Sequence, residues 1–131
     1  MTKIFKNAGA VFSLKVHLVW CPKYRRPVLV GKVEKRLREL LYETAAAYEW
    51  TIEVMEIMPD HVHLLIAFDP RYAVAEMVNR LKGVTSRCMR AEFRELRSRI
   101  PTLWSRNYYA GTVGQVSEAT VRKYIESQKG K

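Results

Sequence analysis

Pro59-Asp60-His61-Val62-His63-Leu64-Leu65-Ile66 is the stretch from which the rest of the chain is read. It holds two of the three histidines, separated by one apolar residue. The run after Asp60 is apolar and partly β-branched, which predicts a buried strand. Side chains on a strand alternate between faces, so His61 and His63 project from one face and Val62, Leu64, Ile66 and Phe68 from the other. The second set suits a core. Two imidazoles side by side on the first face are able to hold a cation together. The same tripeptide also fits ordinary part-buried histidines satisfied by backbone groups, so the pair by itself does not settle the matter.

Outward from this strand, the preceding segment Thr51–Met58 reads as a second strand, with Ile52, Val54 and Met58 expected on one face. Pro59-Asp60 carries turn chemistry, so the two strands predict an antiparallel hairpin. Val11–Cys21 alternates as well. Phe12, Leu14, Val16, Leu18 and Trp20 share one face, and Ser13, Lys15, His17 and Val19 the other. Pro22 ends that strand, and Lys23-Tyr24-Arg25-Arg26-Pro27 follows as a basic, aromatic loop able to meet phosphates or to form a solvated turn.

Val33 to Tyr48 is helical in period, with Leu37, Leu40, Leu41, Thr44 and Tyr48 on one face and a run of three alanines. Asp69-Pro70 stops the central strand. A long helical pattern then runs from Val74 to Arg97, with Gly83 as the site of a bend or close contact. Its polar faces carry Arg80, Lys82, Arg87, Arg90, Arg94 and Arg97. Ile100-Pro101 ends it. Asn107–Val116 predicts a last strand weakened by Gly111 and Gly114. Ser117 is the expected N-cap of a final helix from Glu118 to Gln128.

The order strand, helix, strand, strand, helix, strand is the split βαβ, ferredoxin-like α+β arrangement, with one helix added at the C-terminus. The first and third strands are expected to be central neighbours, with both inner helices on one face. The opposite face then displays Lys15, His17, His61 and His63, without an obvious aromatic pair. The C-terminal helix is its natural cover.

Composition bounds the function. The chain has 131 residues, 23 Lys plus Arg, 13 Asp plus Glu and a net charge of +10. One domain over residues 1–131 is expected, burying roughly 65–70% of its unfolded surface. The basic excess points to a polyanion, nucleic acid before anionic membrane. Two cysteines make neither a disulfide framework nor a zinc pattern, so a reducing, cytoplasmic setting is expected. No signal peptide is expected at the N-terminus, and no run approaches the roughly 20 apolar residues that span a bilayer. There is no glycine-rich phosphate loop.

Five segments together resemble the single-tyrosine HUH transposases of the IS200/IS605 family. They are Leu18–Arg25 with Trp-Cys-Pro-Lys-Tyr-Arg, Pro59–Leu65 with Asp-His-Val-His-Leu-Leu, Leu81-Lys82-Gly83 to Ser86-Arg87, Leu103-Trp104-Ser105, and Gly111–Tyr124 into Gln128. The resemblance spans nearly the whole chain in the family's order. It implies a DNA transposase that cleaves and rejoins single-stranded DNA through a covalent 5′-phosphotyrosine and needs a divalent metal. It puts Tyr124 in the place of the nucleophile and His61, His63 and Gln128 in the places of the metal ligands. It also implies a homodimer in which the C-terminal helix of one subunit completes the site of the other, and DNA ends with terminal hairpins. Lys23, Arg25, Arg26, Lys82 and Arg87 are expected DNA contacts.

The chemistry agrees with those roles. Tyr124 and Gln128 are four residues apart and share a helix face. Two neutral imidazoles and an amide oxygen leave the double charge of an ion free to act on phosphate. The mixed donor set suits Mn²⁺, and Mg²⁺ if phosphate adds oxygen ligands. His17 is expected to support rather than to ligate, and Asp60 is not expected among the ligands. Two other readings carry different consequences: a non-catalytic RNA- or single-strand-binding module, and a metal-dependent nuclease without a covalent step.

Overall fold

The computed structural model describes residues 5–7, 10–98 and 100–128. Four strands form the main antiparallel sheet: β3 (Leu14–Trp20), β4 (Thr51–Met58), β5 (His61–Phe68) and β6 (Tyr109–Thr112), in the order β4-β5-β3-β6. A separate two-stranded ribbon pairs β1 (Phe5–Asn7) with β2 (Ala10–Phe12). The helices are α1 (Gly31–Ala47), α2 (Val74–Glu92), α3 (Arg94–Ser98) and α4 (Gln115–Gln128). This is the expected ferredoxin-like sheet, with the predicted first and third strands as central neighbours.

The alternation on β3 and β5 decides the two faces. Val16, Leu18, Trp20, Val62, Leu64 and Ile66 are at most 1% exposed and form the main core with Leu37 and Leu41 of α1 and Met77, Leu81 and Met89 of α2. Apolar burial of this kind is the chief stabilising term. On the other face Val54, Leu65 and Val113 form a smaller cluster with Ile125 of α4, packed by Val121. α4 therefore covers the second face, as expected.

Several boundaries differ from the sequence reading. The expected Val11–Cys21 strand breaks at Ser13: its first part pairs back on Phe5–Asn7, and its second enters the sheet. On β4 the register shifts between Ile52 and Val54. Glu53 is the extra residue of a β-bulge, so Val54 faces α4 while Met55 and Ile57 join the main core. Simple alternation had put Ile52 and Val54 together. The long helix ends at Glu92 and resumes as α3 after Phe93, whose backbone is extended. Gly83 lies within α2, and a Cβ there would meet no atom within 4 Å, so no close approach requires it. β6 is only four residues long, and α4 starts at Gln115, two residues before the expected cap. The amide of Glu118 bonds the Gly114 carbonyl at 3.0 Å, closing the first turn.

Candidate functional site

β5 delivers both histidines to the face beneath α4. Their ring centroids are 4.7 Å apart, at 79° to one another. β3 runs beside β5 with Val19 opposite His63 and His17 opposite Leu65, so His17 arrives diagonally next to His63. His17 Nε2 lies 3.4 Å from His63 Nδ1, and the two rings stack at 5.6 Å. Burial lowers the His17 pKa. Burial, with the neighbouring His61 and His17, lowers that of His63 to about 4. His63 is therefore a neutral imidazole near neutral pH, with a lone pair to offer.

Asp60 has the role that strand alternation hid. It sits in the turn between β4 and β5, and its Oδ1 accepts from His61 Nδ1 at 2.6 Å. Its other oxygen accepts from Arg25 Nη2 at 3.0 Å. Hydrogen bonding to His61, with the charges of His61 and Arg25, holds the Asp60 carboxyl below its usual range against a smaller opposing effect of burial. Fixing Nδ1 this way orients the ring and leaves Nε2 as the outward atom. Arg25 reaches Asp60 from a strained turn: Tyr24 and Arg25 have φ of 61° and 51°, in the left-handed region that costs non-glycine residues roughly 1 kcal/mol or more each.

α4 brings Tyr124 over the same face. Its ring centroid lies 5.8 Å from that of His63 and 6.2 Å from that of His17, both edge-on. The residue is half exposed. Gln128 is one turn further along α4 and half-buried. Two devices seat this helix: the apolar contact of Ile125, and a buried charge cluster. Lys15 Nζ donates to Glu53 at 2.9 Å and to Glu118 at 2.7 Å. Arg122 Nη2 donates to the same two carboxylates at 2.9 and 3.3 Å. The sequence reading saw Lys15 on the open face but not these partners, because the bulge at Glu53 had to be known first.

The expected basic contacts divide. Lys23 is half-buried; Arg25, Arg26 and Arg87 are exposed. Lys82 is different: its Nζ donates to the Ser105 carbonyl at 2.7 Å, and burial lowers its pKa. It braces the segment Leu103–Ser105, whose backbone also bonds Cys21 and Lys23 at 2.9 Å each. Trp104 in that segment stacks edge-on against Trp20 and donates to Thr85 Oγ1 at 2.9 Å. The open face is also less poor in aromatics than expected. Tyr109 on β6 stands edge-on to His17 at 5.6 Å. Its place opposite Val19 puts it on the histidine face.

Comparison with known proteins agrees with this layout. A family described as "Transposase IS200 like" matches residues 10–128. The chain belongs to the IS200-like transposases, the single-tyrosine IS200/IS605 group. It is similar to the ISDra2 transposase TnpA of Deinococcus radiodurans, 41% identical over 128 residues that cover 96% of this chain and 91% of that protein. The transposase for insertion sequence element IS200 of Salmonella typhimurium is 29% identical over 119 residues, covering 89% of this chain and 78% of that one. A crystal structure of a Deinococcus radiodurans protein assigned as a transposase superposes with a TM-score of 0.78 at 35% identity, covering 95% and 97% of the two chains. The REP-associated tyrosine transposase bound to a REP hairpin shares the fold at 10% identity, with a TM-score of 0.70 over 95% of this chain and 72% of that one. Among the described residues of this transposase-family chain, no helix is long and apolar enough to cross a membrane.

Proposed function

We propose that this chain cleaves and rejoins single-stranded DNA at insertion-sequence ends, with Tyr124 as nucleophile and His61, His63 and Gln128 as ligands of a divalent ion. The observation that carries the reading is Tyr124 held by α4 within 5.8 Å, ring to ring, of His63. Family membership and the basic charge support DNA as the substrate.

The residues present fit a metal. Both histidines face one side of β5; His63 is neutral by burial, and His61 is oriented by Asp60 as metal-bound histidines commonly are. The family resemblance puts the amide oxygen of Gln128, half-buried one turn beyond Tyr124 on α4, in the place of the third protein ligand; among the described residues no three His, Cys, Asp or Glu side chains form a cation site of their own. This nitrogen and oxygen set suits Mn²⁺, or Mg²⁺ with phosphate oxygens added. Bound there, the ion supplies charge stabilisation and orientation at the phosphate.

The chain's own residues do the rest. The Tyr124 hydroxyl gives up its proton to solvent and attacks phosphorus. A bond forms between its oxygen and phosphorus, the bond from phosphorus to the 3′-oxygen breaks, and that oxygen leaves as a hydroxyl after taking a proton. The phosphoester is conserved in the 5′-phosphotyrosine, so the reverse attack rejoins a strand without ATP. Arg25 and Arg26 at the Asp60 end, and Arg87 on α2, are the phosphate contacts in this reading.

The partners are single-stranded DNA with terminal hairpins and a second copy of the chain. The hairpin bound by the REP-associated relative is in keeping with the first. In the single chain Tyr124 lies over its own histidines; an α4 exchanged between two copies would meet the same face of the other. Mixing Tyr124→Phe with His61→Ala chains reads this directly: activity regained in the mixture requires a site completed in trans.

The decisive experiment is incubation with labelled single-stranded DNA from the element's ends and Mn²⁺ or Mg²⁺, read on a denaturing protein gel. A covalent adduct that Tyr124→Phe abolishes, with DNA binding kept, is the expected result. Metal-dependent cutting that survives Tyr124→Phe would make the chain a nuclease, and binding without any cutting would make it a single-strand-binding module.

A further inference from the structure

We propose that Tyr109 and the groove beside it are a stacking subsite for an unpaired base of the strand that Tyr124 attacks. The inference rests on the DNA reading above and adds to it a place where the protein holds a base rather than a phosphate.

Several observations converge on the groove. Tyr109 is 58% exposed although it belongs to a sheet strand, so one face of its ring is open. The register that sets Tyr109 opposite Val19, and Val19 opposite His63, puts the ring on the histidine face. It lies 5.6 Å from the His17 ring, which is 6.2 Å from Tyr124. A base stacked on Tyr109 is therefore separated from the nucleophile by one imidazole, a spacing that a flexible sugar-phosphate backbone spans readily.

The ring's position depends on Gly111. A Cβ at Gly111 would come 2.5 Å from the Tyr109 hydroxyl oxygen and 3.0 Å from its ring carbon, so the phenol lies across a gap that only glycine leaves. Next to the ring is a mostly apolar hollow of about 350 Å³, within the usual range of ligand pockets. Val19 contributes apolar wall, and Tyr108 a second, part-exposed aromatic. Asn107 and Arg25 bring polar groups to the rim, and Arg25 connects the groove through Asp60 to His61. An aromatic plane, an apolar pocket and a cation at one edge are what a single-stranded base with its phosphate requires. The chain's net charge of +10 selects a polyanion over an uncharged aromatic ligand.

Binding is measured on the Tyr124→Phe chain, so that no cleavage intervenes, with fluorescent dT20 as the probe and a 20-unit abasic phosphodiester as its baseless control. Tyr109→Ala should weaken dT20 binding roughly tenfold, in line with the loss of one base–aromatic stack. Tyr109→Phe should leave it unchanged. Gly111→Ala, which keeps the tyrosine but displaces its ring, should weaken it in the same direction. None of these removes a charge, so the slope of log Kd against log salt should stay constant. The abasic control should bind all four proteins alike, and a 5-iodouracil oligonucleotide should cross-link at Tyr109.

Equal dT20 affinity in Tyr109→Ala, an equal loss on the abasic control, or cross-links confined to other residues each overturn the subsite. The adduct assay on the wild-type chain separates the two readings. An adduct with Tyr109-independent binding sinks the subsite alone. Tyr109-dependent binding with no adduct sinks the Tyr124 chemistry alone.

Discussion

Replacing Lys15 by methionine tests how α4, the helix that carries Tyr124, is seated. Lys15 is 1% exposed, and its partners Glu53 and Glu118 are 8% and 9% exposed at the side chain. Removing one partner of a buried ion pair costs about 3–5 kcal/mol, because the other charge stays behind unpaired. Arg122 still reaches both carboxylates, so the low end applies, about 3 kcal/mol. For a domain of this size that corresponds to roughly 10 °C in Tm. Urea unfolding gives the global loss, and hydrogen exchange at the α4 amides shows whether the helix loosens first. Adding Glu118→Gln to Lys15→Met removes the stranded charge and should recover at least 1 kcal/mol, a non-additivity on the order expected for contacting residues. If the two substitutions simply add, the cluster does not hold the helix and the reasoning fails.

The same lysine sets a pH dependence. Burial pushes its ammonium down, but the hydrogen bonds and charges of Glu118 and Glu53 more than offset this, and the pKa ends above the ordinary 10.5. A raised folded-state pKa means that the contribution is complete below 10.5 and disappears as pH rises through the higher folded value. The stability gap between wild type and Lys15→Met should thus be flat from neutral pH up to about 10 and close in strongly alkaline solution.

Other substitutions probe the remaining parts. Asp60→Asn should weaken Mn²⁺ affinity about 10- to 100-fold, measured by calorimetry, with Tm little changed; unaltered affinity would remove Asp60 from the site. Arg87→Ala should lower the salt slope of DNA binding by about one, whereas Lys82→Met, which deprives the Ser105 carbonyl of its donor, should show chiefly as a loss of about 1–2 kcal/mol in a urea melt. Gly31→Ala should cost about 1 kcal/mol without any steric clash, since Gly31 has φ +58° and open space around it; an unchanged Tm would contradict the backbone argument.

The central strands were legible because their period is clean: the alternation of β3 and β5 alone assigned the core face, the histidine face and the need for a covering helix. The elements that departed from expectation are those whose geometry is decided at a distance. The bulge at Glu53 leaves no mark in local pattern, and it moved Val54 to the other face. The break at Ser13 depends on a partner strand near the N-terminus. Alternation set Asp60 aside only as a metal ligand; it gave no sign that a turn residue, which does not obey a strand's period, places its carboxylate against the His61 ring. Tyr109 was visible only as part of a weak, glycine-rich strand. Its nearness to His17 is a property of the β3–β6 register, which no short-range signal specifies. Lys82 was taken for a surface cation because its helix face is basic throughout; the Ser105 carbonyl that claims it lies in another segment.

β5 does two jobs with one alternation. Its even-numbered residues from Val62 to Phe68 build the main core, and the odd positions 61 and 63 carry the imidazoles. Both edges of this strand are occupied, by β3 and by β4. A one-residue insertion within it has no free edge to slip along. It would turn the imidazoles toward hydrocarbon and the core side chains toward the α4 face in a single step. Foldability therefore proofreads the active face: a chain that has acquired such a frame error here is removed as unfolded protein before it can act as a faulty enzyme.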